Sequence, residues 1–196
     1  ASAQGLTPRA YWPSPNGTKV AIFGYSNVRG DVLFDPSIPL YGVDSKIHTG
    51  VLAYLQTLSL AGRTANVIVE LPYSWGTTKG VLVDSPARRD FAGAGDLGLT
   101  VAVNLIGAPT LTPQEFQALR ADPHPILGAS LKVVAPTGQY NPERLINVGA
   151  NRWALKAELG YMIPLHPRWL LELEGGAWFL GDDPDFLVGK REQEPI

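Results

Sequence analysis

The 196-residue chain has no cysteine, which excludes disulfides, thiolate metal sites and cysteine nucleophiles. Charge is scarce: Asp, Glu, Lys and Arg make up 17% of the residues, against roughly a quarter in soluble domains. The net charge of −2 gives no electrostatic reason to expect a nucleic-acid partner. No apolar run reaches the roughly 18 residues of a membrane helix, so a helical span is excluded. The three histidines, His48, His124 and His166, lie far apart, and neither HExxH nor a G-x-S-x-G elbow occurs. The sequence therefore reads as no enzyme, with no metal and no cofactor expected.

What the chain does have is turn residues, Gly 21 and Pro 17, between stretches that alternate with a period of two. In "RWALKAELGYMIPL" (152–165), Trp153, Leu155, Ala157, Leu159, Tyr161 and Ile163 share one face. Arg152, Ala154, Lys156, Glu158 and Gly160 share the other. Further strands are expected at 17–27, 48–60, 64–75, 95–107, 126–136 and 168–180, with the start of an eighth at the C-terminus. The stretch 76–90 is either a connection or an extension of the strand before it. One helix is expected: Thr112 caps it, Pro113 opens it and Glu115 completes a capping box.

Connections alternate long and short, apart from the helix. Charged residues share a face with Gly, Ser, Ala and Asn, while Leu, Val and Trp take the opposite face. A soluble sandwich turns its apolar face inward and covers the other with charge. Here the charged face is sparse and small, which fits a polar barrel lumen, and the apolar face flanked by Trp and Tyr fits lipid. A soluble lipocalin-like barrel would invert the assignment, with the apolar face around a ligand.

"RAYWPSPNGTKVAIFGYSNVRGDVLFDPSIPL", "GAGDLGLTVAVNLIGAP", "ILGASLKVVAPTGQYNPERLINVGANRWALKAELGYMIPL" and the terminal "REQEPI" resemble the family assigned to the MetA pathway of phenol degradation. The most specific segment is 135–164. The resemblance implies an antiparallel, up-and-down transmembrane β-barrel of the Gram-negative outer membrane, acting as a transporter. Members usually continue for several more strands, and bacterial barrels have even strand numbers from 8 upward. The expectation is therefore a single barrel domain that is C-terminally incomplete or closed by another chain, within roughly 12 strands judged by length alone. The opening "ASAQ" reads either as what remains after signal-peptide removal or as a small, flexible terminus.

On the expected lumen face, Arg152, Lys156, Glu158, Glu172 and Glu174 occupy adjacent strands and form a candidate charged constriction or a salt-bridged plug. With the turn centred on Leu165, Lys156 faces Glu174 and Glu158 faces Glu172. Lys132 and Glu70 stand alone and read as structural. The expected lipid or interface face carries Trp153, Leu155, Leu159, Tyr161, Trp169, Leu171, Val101 and Val103. Trp178, on the polar face, could stack an aromatic solute. Asp182, Asp183 and Asp185 make either a weak cation loop or a solvated turn. The expected partners are membrane lipid, a small solute and an envelope protein. The leading reading is a passive outer-membrane channel for small aromatic or hydrophobic molecules. Its rivals are a non-transporting scaffold barrel and a soluble ligand-binding barrel.

Overall fold

Strands that alternate small with branched or aromatic residues make poor helices and good pleated surfaces. In the computed structural model, which describes residues 11–31, 40–82, 85–142, 144, 147–166, 169–186 and 189–191, sheet dominates. The elements are β1 (Lys19–Asp31), β2 (Leu40–Leu60), β3 (Arg63–Leu82), β4 (Ser85–Ala94), β5 (Leu97–Ile106) and α1 (Pro113–Ala121). They continue with β6 (Ile126–Ala135), β7 (Ala154–His166), β8 (Trp169–Leu180), β9 (Asp183–Phe186) and β10 (Gly189–Arg191).

Eight strands form one antiparallel sheet in the order β1-β2-β3-β5-β6-β7-β8, with β4 beside β3. Sequence neighbours pair in space, which is the up-and-down topology of a half-barrel. Among the described residues β1 pairs only with β2 and β8 only with β7, so the sheet has two open edges. The expected eighth C-terminal strand is instead β10, paired with β9 in a separate ribbon.

The ambiguous stretch 76–90 is a hairpin in which β3 runs on to Leu82 and β4 returns along it. β4 and β5 behave as one strand with a bulge at Gly95 and Asp96. Tyr73 pairs with Ala94 but Glu70 with Gly98, a register step of one residue. At the opposite end of the sheet, β2 turns into β3 through Ala61 and Gly62, both at positive φ. That is the backbone a two-residue hairpin loop demands.

One expected register is corrected. β7 does not turn at Leu165 but continues to His166, which pairs with Trp169. Lys156 therefore faces Trp178, Glu158 faces Gly176, Gly160 faces Glu174 and Met162 faces Glu172. Pro164 looked like a turn residue because it lacks an N–H. It is accommodated in the last stretch of the strand, next to a register irregularity between Pro164 and His166.

The apolar core lies at the turn end and not between two sheets. Ala108, Leu111, Leu119, Ile126 and Met162 cluster there, with Trp12, Phe116 and Leu170 packed against them. The helix supplying Leu119 begins as expected: Glu115 N donates to Thr112 Oγ1 at 3.3 Å and Thr112 N donates to Glu115 Oε2 at 2.7 Å.

Candidate functional site

The N-terminal segment and α1 lie against one face of the sheet, which defines the enclosed side. Along β8, Trp169, Leu171, Leu173, Ala177 and Phe179 take the other side, and Trp169 is 70% exposed and Phe179 47%. Trp153, just before β7, and Leu159 and Tyr161 within it are exposed, as are Leu99 on β5 and Leu131 on β6. Leu155, Val101 and Val103 share that outer side and are half-buried by their neighbours. From Trp169 to Phe179 is ~33 Å along the strand, or ~25 Å along a barrel axis tilted by ~40°. That is the height of a transmembrane barrel's apolar band, with an aromatic ring at each margin. At the loop end the margin is a ring cluster: His48 stacks on Trp75 at 5.4 Å, flanked by Tyr25 and Tyr73.

The inner face divides into two walls. On β6, β7 and β8 it carries Lys132, Lys156, Glu158, Glu172 and Glu174, joined by Glu70 from β3. Lys132 pairs with Glu70, whose side chain crosses β5 at Gly98, where a Cβ would stand 2.7 Å from its Cγ. The two residues expected to be isolated thus hold each other. Lys156 pairs with Glu158 and sits 6.0 Å over the Trp178 ring. Glu158 and Glu174 are diagonal neighbours on facing strands, about 7–8 Å apart for such pairs. Arg152 precedes β7 at the loop end, with Nη1 shielded from solvent.

The other wall is apolar. Val20, Ile22 and Val28 of β1 project inward beside Val51, Leu55 and Ile47 of β2. The expectation of a uniformly small and polar inner face therefore fails for these two strands. Alternation cannot reveal this, because Phe23, Tyr25, Leu52 and Tyr54 make their outer face apolar as well.

Small residues on the charged wall have a use that spacing did not disclose. Gly128 and Gly160 face each other across β6 and β7, and the Tyr11 ring lies on both. A Cβ at either position would stand 2.1 Å from that ring. Tyr11 is 5% exposed, and its hydroxyl donates to Glu158 Oε1 at 3.0 Å and lies 3.1 Å from Ser130 Oγ. Trp12 joins the core cluster, Pro13 is fully buried, and Asn16 N donates to Leu111 O. The segment before β1 and the α1 connector thus fill the lumen at the turn end. The only trace in the sequence is "YWPSP", an apolar run without alternation just before the first strand.

At the loop end, the connection between β6 and β7 folds inward. Asp96, at the bulge, accepts from Gly138 N at 2.8 Å and from Ala150 N at 2.7 Å. Asp183 accepts from the Tyr140 hydroxyl at 2.8 Å and from Asn151 Nδ2 at 2.9 Å. Both oxygens of Asp183 therefore anchor this loop. Asp182 lies between β8 and β9, and the side chain of Asp185 is outside the described residues. No cluster of three metal-ligating side chains occurs among the described residues.

A model of the family described as "Putative MetA-pathway of phenol degradation" matches residues 22–194. The chain belongs to that family. Among solved structures, an outer membrane channel from Pseudomonas putida F1 is similar at a TM-score of 0.69 and 24% identity. The match covers 97% of this chain and 67% of that one. At that identity the likeness establishes the fold, an antiparallel barrel sheet. No curated protein matches.

The shared fold makes the side that carries the apolar belt the exterior of a barrel sheet. What the inner face presents is one apolar wall and one charged wall.

Proposed function

We propose that the chain forms part of a bacterial outer-membrane β-barrel channel through which small aromatic or hydrophobic molecules pass without a cofactor. The observation that carries this reading is the inverted sheet, with large apolar side chains outermost and the Lys156–Glu158 and Lys132–Glu70 pairs enclosed. The family, and the fold shared with a solved outer membrane channel, support it. The apolar wall of β1 and β2 suits the ring of such a solute, and the charged wall its polar group. In lipid an unpaired strand edge leaves polar groups that each cost several kcal/mol, so further strands close the sheet between β1 and β8. They come from a longer chain or from a second one.

The test is reconstitution of the full-length protein in planar bilayers and in liposomes. Discrete conductance steps and faster phenol entry than in empty liposomes are expected. A folded, inserted barrel with neither would end this reading. A second reading, a non-conducting scaffold for an envelope partner, is favoured by the Tyr11 segment that fills the turn end. It predicts silence even when that segment is released.

A further inference from the structure

The loop-end mouth holds a cavity of about 580 Å³ whose walls lie above the charged and apolar faces already described. One wall is the inner side of β4, with Arg89 and Phe91. The other is the inward-folded connection between β6 and β7, with Gln139, Tyr140, Arg144 and Asn147. Asp96 and Asp183 hold this connection at both ends, so the two walls face each other at a fixed separation. The volume falls within the ~300–1,000 Å³ typical of small-molecule sites.

The charges in this cavity do not balance. Arg89 Nε is shut off from solvent and has no acceptor among the described residues. A buried donor left in that state costs about 1–3 kcal/mol, more for a charged group. Asp90 lines the same cavity but is already engaged. Thr77 donates to its carboxylate, and so does Arg88, through Nε at 3.2 Å and Nη2 at 3.1 Å. The carboxylates of Asp96 and Asp183 are used by the loop itself. Asn147 is spent on the local turn, donating to Asn141 O and accepting from Asn141 N. Two guanidinium groups therefore border a cavity in which no carboxylate among the described residues answers them, between the aromatic rings of Phe91 and Tyr140.

We propose that this cavity binds a small aromatic carboxylate, its oxygens on Arg89 and Arg144 and its ring against Phe91 and Tyr140. A planar guanidinium fork matches a carboxylate in two parallel hydrogen bonds, which a lysine ammonium does not. The same site is the first docking point for a solute entering from the loop side. That second statement rests on the channel reading, whereas the binding site does not.

The test is calorimetric titration of the detergent-folded, full-length protein with benzoate, and with benzyl alcohol and acetate as partial mimics. Benzoate is expected to bind at least about tenfold more tightly than either. Arg89→Gln brings benzoate down to the level of benzyl alcohol and leaves benzyl alcohol unchanged, and Arg89→Lys recovers only part of the loss. Heat-modifiable gel migration verifies that each variant is folded. Should Arg89→Gln fail to fold, Arg144→Gln on the exposed loop carries the same expectation. Benzoate binding no tighter than benzyl alcohol, or unaltered in a folded Arg→Gln variant, overturns the proposal. Planar-bilayer recording on the same preparation separates the two readings. Benzoate binding to a silent barrel keeps the site and removes the channel, and conduction without benzoate binding does the reverse.

Discussion

Tyr11 shows how much one side chain can decide. Its ring rests on Gly128 and Gly160, and its hydroxyl donates to Glu158. Burying an aromatic ring of ~150 Å² at ~25 cal/mol/Å² contributes about 4 kcal/mol, close to three decades in an equilibrium between seated and released states. Tyr11→Ala should therefore release the segment often enough to raise single-channel conductance or open probability at least about tenfold. Tyr11→Phe, which keeps the ring and loses only the hydroxyl, should raise it far less. Gly160→Leu should mimic Tyr11→Ala, because the new side chain occupies the seat of the ring. Unchanged currents in all three would show that the segment does not govern passage.

At the scale of elements, α1 offers a pH-dependent contact outside the strands of the sheet. Hydrogen bonds from the Thr112 backbone and hydroxyl hold the Glu115 carboxyl below its ordinary value of 4.5. A depressed carboxyl stabilises the cap above its ordinary value, and that contribution is lost as pH falls through the lower, folded value. Amide exchange over 113–121, corrected for intrinsic rates, should accelerate as pH falls below that ordinary value of 4.5. Glu115→Gln should abolish that acceleration, and Thr112→Ala should cost the helix about 1 kcal/mol at neutral pH, where Glu115 is ionised. This element was legible because a capping box is a local signal carried by four adjacent residues. β5, β6 and β8 were legible for a similar reason, since their faces differ sharply in residue size and polarity. The hairpin of β3 and β4 was less so, because its charges and glycines resemble a loop. The register of β7 against β8 was not legible, since Pro164 suits a turn as well as a strand end. The Tyr11 seat and the Arg89 cavity bring together residues about fifty or more apart, which periodicity does not record.

At the scale of the molecule, the assignment of inside and outside rests on adjacent residues of β7 that point opposite ways. Leu155 lies on the outer side between Val133 and Phe179, while Lys156 lies on the inner side against Glu158 and Trp178. If the outer side meets hydrocarbon, Leu155→Arg places a charge near mid-bilayer at a cost of about 2–4 kcal/mol. Its folded, heat-modifiable fraction in lipid vesicles should fall accordingly. Lys156→Leu removes a lumen charge, leaves Glu158 without its cation and spares the lipid contact. It should insert almost as the parent does and change ion selectivity instead. A soluble barrel with the opposite orientation also penalises Leu155→Arg, which would bury an unpaired charge in a core, but there Lys156→Leu would alter only a solvated face. The two orientations therefore agree on Leu155→Arg and differ on Lys156→Leu, which changes ion selectivity only where Lys156 faces a conducting lumen. The decisive measurement is the effect of Lys156→Leu on the reversal potential across a salt gradient: a shift supports an enclosed Lys156, and no shift in a conducting barrel removes it from the lumen.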